Sequence, residues 1–121
     1  MAEKKQILIV EDDSFLQGLI ANKLEKNDFE TITSSTGEEA MTEIATKKFD
    51  LLLLDLMLPD ISGFEIMKNM KDMTKKIPII VFSNLSGDKD IKKAMDLGAK
   101  EYLIKSNFTL DELVEKVKQI V

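Results

Sequence analysis

Five short apolar runs alternate with segments whose apolar residues recur every three or four positions, and this alternation narrows the fold more than any other feature of the chain. The runs cover residues 6–10, 29–33, 50–54, 77–82 and 101–104, each of strand length. The segments 14–27, 36–47, 63–73, 88–97 and 109–121 carry helical spacing. In the last of these, Leu110, Leu113, Val114, Val117 and Val121 fall on one face. In the first, Phe15, Leu16, Leu19, Ile20 and Leu24 predict the inner face. In the third, Phe64, Met67, Met70 and Met73 do the same, as core packing. The run Asp50-Leu51-Leu52-Leu53-Leu54 is apolar on both faces, which suits a central strand of a covered parallel sheet. Residues 29–33 alternate with period two, as a half-exposed edge strand does.

The punctuation agrees with this segmentation. Ser14–Gln17, Thr36–Glu39, Ser62–Glu65 and Thr109–Glu112 each fit the Ser/Thr-x-x-Glu/Gln capping box. Gly98 stands where the fourth helix should stop, and Pro78 lies near a strand start, where a missing donor is tolerated. Five βα units imply a parallel sheet with right-handed crossovers and helices on both faces. Five strands are too few for a closed eight-stranded barrel, so the expected fold is an open, doubly wound α/β sheet. A chain of 121 residues without a linker is read as one domain over 1–121.

Composition removes several functional classes. There is no cysteine and no histidine, so disulfides, thiol chemistry, zinc fingers and imidazole catalysis are excluded. Any metal site must be built from oxygens, which favours Mg²⁺, Ca²⁺ or Mn²⁺. The 17 basic residues are all lysine and the net charge is −5, a poor basis for binding nucleic acid directly. No apolar run is long enough to span a membrane and no cleavable leader is visible, so the expected location is the cytoplasm.

Open parallel sheets place their sites beyond the carboxyl ends of the strands, where strand order reverses. At those ends stand Glu11, Asp12 and Asp13 after the first strand, Asp55 after the third, Ser83 after the fourth and Lys105 after the fifth. Asp13 reads best as a helix cap or a solvated loop charge, while Glu11 and Asp12 as a pair divide evenly between that reading and site residues. A charge directly after four leucines favours a cleft for Asp55. Ser83 alone reads as a turn residue and Lys105 alone as a surface charge. Together these residues form a crevice suited to Mg²⁺ and to an aspartate acting as a nucleophile toward phosphorus.

The segments ILIVEDD and LLLLDLMLPDISG, the serine after IIVF and the lysine of YLIKS resemble the receiver domain of two-component response regulators, most simply the single-domain chemotaxis type. The resemblance covers essentially the whole chain. It implies a flavodoxin-like sheet of order 2-1-3-4-5. It makes Asp55 the phospho-acceptor, Asp12 the direct Mg²⁺ ligand, Glu11 a ligand acting mainly through water, and the Met57 carbonyl a further ligand. Mn²⁺ would substitute for Mg²⁺. Ser83 and Tyr102 take the switch positions, and Lys105 pairs with the phosphoryl group. The resemblance also implies catalysis of the domain's own phosphorylation and slow dephosphorylation, rather than conventional turnover. The phosphoryl donor would be a sensor histidine kinase or a histidine phosphotransfer protein. Output would pass through the face of helix four, strand five and helix five, from a monomer or a phosphorylation-dependent dimer.

Four positions depart from the family pattern. Ser106 follows Lys105 where proline is usual, which sets the usual cis peptide against a cost of about 3 kcal/mol. Asn84 replaces a small residue and narrows access to Asp55. Met57 and Leu85 are apolar at positions that tune phosphoryl lifetime. Two rival readings are a haloacid-dehalogenase-like phosphatase and a degenerate receiver serving as a scaffold. The first needs an acid/base aspartate where Met57 stands.

Overall fold

A computed structural model describes residues 3–73 and 76–121. The elements run β1 (Gln6–Val10), α1 (Ser14–Lys26), β2 (Glu30–Ser34), α2 (Gly37–Thr46), β3 (Leu51–Leu54), α3 (Gly63–Asp72), β4 (Ile79–Ser83), α4 (Asp88–Asp96), β5 (Glu101–Ile104), a single 3-10 turn (Lys105–Asn107) and α5 (Leu110–Ile120). The five strands pair in parallel in the order β2-β1-β3-β4-β5. This is the expected doubly wound, flavodoxin-like α/β fold.

The period of two sorts side chains onto the two faces of the sheet. Ile7, Ile9, Leu51, Leu53, Ile80 and Phe82 face a layer that includes Ile20 and Leu24 of α1 and Val114 and Val117 of α5. Leu8, Val10, Leu52, Leu54 and Val81 face Ala40, Ile44, Ile66, Met67 and Ala94 of α2, α3 and α4. All four leucines of β3 are buried, so truncating one to alanine should cost about 2–5 kcal/mol. β2 lies at the sheet edge and is mostly half-exposed, as its alternation implies.

The first helix departs from expectation in two ways. Leu16, Ile20 and Leu24 pack inward, but Phe15 is 77% exposed and Leu19 is 41% exposed. Each precedes an inward residue by one position, so each is rotated about 100° from the buried stripe. The cap is Asp13 rather than Ser14: its carboxylate accepts from the Phe15 and Leu16 N–H groups. Ser14 is thus the first helical residue. Of the other three expected boxes only Thr109–Glu112 is reciprocal, since the Glu39 carboxylate turns to the Ser35 N–H. On α3, Met67 and Met70 are buried, whereas Met73 beyond the helix end is partly exposed.

α4 ends in a Schellman motif. The Gly98 N–H donates to the Met95 carbonyl, the Ala99 N–H donates to the Ala94 carbonyl, and Gly98 has φ +106°. A Cβ at Gly98 would meet nothing within 4 Å, so the demand for glycine comes from the backbone alone. Gly18 is the contrasting case, exposed within α1 with open space around it. Gly98→Ala should lower unfolding free energy by about 1 kcal/mol, while Gly18→Ala should raise it by about 0.5–1 kcal/mol. Urea unfolding of the two variants checks this opposition of sign.

Candidate functional site

The register of the sheet assembles the site. Val10 lies opposite Leu54 in the β1–β3 pair, so the residues that follow, Glu11 and Asp55, emerge side by side. The Asp55 N–H donates to the Val10 carbonyl at 3.0 Å, and the Glu11 N–H donates to the Ser34 carbonyl at 3.0 Å. Ser83 lies opposite Ile104 in the β4–β5 pair, which sets Lys105 one residue beyond it. The chain crosses from one side of β1 to the other between β2 and β3, so the crevice opens at the reversal of strand order.

Glu11 is 2% exposed and Asp55 is 5% exposed. Two buried carboxylates need a cation. The Lys105 ammonium supplies one, at 2.7 Å from Glu11 Oε1 and 2.7 Å from Asp55 Oδ2. The remaining oxygens accept from the backbone: Glu11 Oε2 from the Asp13 N–H at 3.1 Å, and Asp55 Oδ1 from the Met57 N–H at 3.1 Å. Burial pushes the Glu11 carboxyl above its ordinary range, although Lys105 and the Asp13 N–H pull the other way. Burial also works against the Lys105 ammonium, but the hydrogen bonds to Asp55 and Glu11 outweigh it and hold the ammonium above its ordinary range.

Asp12 is exposed and has no hydrogen-bond or ion-pair partner among the described residues. Oxygens of Glu11, Asp12 and Asp55 all lie within 4.8 Å of one another. This is an all-oxygen set next to open solvent, which fits a hard divalent cation that keeps some of its waters. One ammonium among three carboxylates leaves an excess of negative charge for such a cation to neutralise.

Ser83 is fully buried, and its hydroxyl oxygen accepts from the Leu85 N–H at 3.3 Å. The Tyr102 hydroxyl donates to the Leu85 carbonyl at 2.6 Å. Burial, followed by the charges of Asp90 and Asp55, pushes the Tyr102 phenol up, so it remains a donor. The β4–α4 loop is thereby tied to the last residue of β4 and to the middle of β5. Met57 is 55% exposed at the mouth of the crevice. Asn84 is exposed, and Leu85 packs against the core. No peptide bond is cis among the described residues, so the chain passes Lys105–Ser106 in trans and turns there in the 3-10 turn.

Sequence reasoning missed three supporting residues. Gln17 Nε2 donates to the Glu11 carbonyl at 2.9 Å and the Ser34 carbonyl at 3.1 Å, joining the ends of β1 and β2. The Asp60 carboxylate accepts from the Gly37 and Glu38 N–H groups, fastening the loop after Asp55 to the start of α2. These backbone donors pull the Asp60 carboxyl below its ordinary range. Gly63 allows α3 to begin against the loop after Asp55, since a Cβ there would come within 2.7 Å of the Asp55 carbonyl oxygen.

Lys105→Met leaves two buried carboxylates facing each other and should cost about 3–5 kcal/mol in chelator at neutral pH. The deficit should narrow in acid as Glu11 takes up a proton, because its folded-state carboxyl already lies above its ordinary range. Urea titrations at neutral and acidic pH measure both effects. A deficit that is absent or grows in acid would show that the ammonium does not balance the pair.

A family model described as "Response regulator receiver domain" matches residues 7–118. The cell cycle response regulator CtrA of Brucella ovis is 34% identical over 116 residues, covering 96% of this chain and 50% of that protein. The chain therefore spans about half the length of the curated relatives it matches. The non-phosphorylated HemR receiver domain from Leptospira biflexa superimposes with TM-score 0.90 at 30% identity, covering 97% of this chain and 94% of that one. The BeF3-activated DrrB receiver domain matches with TM-score 0.86 at 30% identity, covering 97% of each chain.

Proposed function

The chain belongs to the response regulator receiver domain family, and on that footing we propose that residues 1–121 act as one receiver unit phosphorylated on Asp55. The observation that carries this reading is the convergence of the buried Asp55 with Glu11 and Asp12, under the Lys105 ammonium. A metal-free crevice with excess negative charge would repel a phosphoryl donor. Mg²⁺, or Mn²⁺ in its place, held by Asp12, Asp55, the Met57 carbonyl and, through water, Glu11, would supply the missing positive charge.

In the transfer step an Asp55 carboxylate oxygen attacks phosphorus. The oxygen–phosphorus bond forms as the bond from phosphorus to the donor nitrogen breaks, and the donor imidazole keeps the electron pair. The donor is a sensor histidine kinase or a histidine phosphotransfer protein, consistent with a chain that has no histidine of its own. Such a receiver works in the cytoplasm, where those phosphohistidines form. No helix among the described residues is long and apolar enough to cross a membrane.

The new phosphoryl oxygens take over Lys105 and attract the Ser83 hydroxyl. Drawing Ser83 inward disturbs its bond to the Leu85 N–H, and Leu85 also holds Tyr102. Phosphorylation thus favours a second arrangement of the β4–α4 loop and Tyr102, and with it the surface of α4, β5 and α5. Partner binding or dimerisation on that surface stabilises the phosphorylated state in return.

Intact mass after incubation with acetyl phosphate and Mg²⁺ should rise by one phosphoryl group, and Asp55→Ala or a chelator should abolish the gain. The phosphorylated form of a histidine phosphotransfer protein serves as a second donor, so that the test does not rest on a small donor alone. No gain from either donor would leave only a scaffolding role. The exposed Met57 and the Leu85 side chain offer no polar group to position the hydrolytic water. Met57→Asn combined with Leu85→Glu should therefore shorten the phosphoryl lifetime about tenfold, read as the decay of the phosphorylated mass. An unchanged or longer lifetime would contradict this role.

A further inference from the structure

At the end of the sheet opposite the crevice, the C-terminal ends of α3 and α4 border a groove of about 540 Å³. That volume falls within the range of small-molecule sites. Its floor and walls are apolar and include Met67, Met70, Pro78 and Leu97. The two methionines are buried core residues with flexible thioether side chains, so the walls adapt to what enters. Gly98 presents no side chain at the rim, and a Cβ there would meet open space.

The charge around the groove is one-sided. Lys71, Lys76 and Lys100 border it, and none forms an ion pair among the described residues. The single acid at the rim, Asp96, is already engaged by Lys92 at 2.8 Å. Three uncompensated ammonium groups around an apolar trough are notable in a chain of net charge −5. The Schellman bonds occupy the Ala94 and Met95 carbonyls, which blunts the negative end of α4 beside the groove.

We propose that this groove binds a small amphipathic anion, an apolar chain or ring carrying one carboxylate. The apolar body lies along Ile77, Pro78 and Leu97, above the buried Met67 and Met70, and the carboxylate meets the lysines at the rim. The site is separate from the phospho-acceptor crevice and does not depend on the chemistry proposed there.

Amide NMR titration of the full chain tests it with three probes: decanoate, 2-naphthoate and uncharged decanol. Saturable shifts should concentrate at Met70, Gly98 and Lys100, and decanol should bind at least about fivefold more weakly than decanoate. Tighter binding of decanoate would assign a chain ligand, and tighter binding of naphthoate a ring. Lys71→Glu with Lys100→Glu should weaken the carboxylates about fivefold and leave decanol unchanged. Lys71→Gln with Lys100→Gln should give a smaller loss in the same direction. Three results would overturn the proposal: no saturable shift with either acid, shifts centred elsewhere, or equal affinity for decanol and decanoate.

Discussion

One ammonium between two buried carboxylates organises this molecule. Lys105 lies 2.7 Å from both Glu11 and Asp55, and neither acid has enough solvent around it to carry its charge alone. Glu11 follows β1, Asp55 follows β3 and Lys105 follows β5, so the charge balance spans the sheet across β4. This arrangement gains little stability relative to an apolar core of the same shape. It supplies instead a pair of acids whose charge depends on a cation beside them, and so a site that responds when charge is added.

In the proposed switch, the β4–α4 loop would connect that charge to the surface. Ser83, Leu85 and Tyr102 are joined by two hydrogen bonds, one on the N–H of Leu85 and one on its carbonyl. A hydroxyl drawn toward new phosphoryl oxygens would pull on the same residue that Tyr102 holds. The loop after Asp55 is fixed by contrast. Asp60 fastens it to α2, and Gly63 lets α3 close against its backbone. The Asp55 side of the crevice is therefore fastened to α2 and α3, whereas Ser83, Leu85 and Tyr102 are joined by two hydrogen bonds.

Much of this was legible in the sequence because it rests on local chemistry. Four leucines in succession, bounded by Asp50 and Asp55, identified a buried central strand with a carboxylate at its exit. Asp13 was read as a cap or a solvated loop charge, and it is a cap. The same stretch misled where two local signals overlapped. Asp13 and Ser14 both suit an N-cap, and Gln17 three residues after Ser14 completed a box by spacing alone. In the fold, Gln17 instead reaches two strand ends. Phe15 and Leu19 fit the apolar period loosely, and only the angle of α1 on the sheet decides that they face outward. The Asp60 bonds to Gly37 and Glu38 span more than twenty residues, and no local pattern announces them. The pairing of Lys105 with Glu11 also depended on strand register, which the sequence alone did not supply.

The most direct measurement locates the phosphoryl group itself. An aspartyl phosphate is an acyl phosphate, and borohydride reduces it to homoserine, leaving a stable mark at the modified position. After phosphorylation in Mg²⁺, reduction and peptide mapping, homoserine is expected at position 55 and nowhere else. Homoserine at position 12 or 13, or none in a sample whose mass had risen, would contradict Asp55 as the acceptor on which the switch is built.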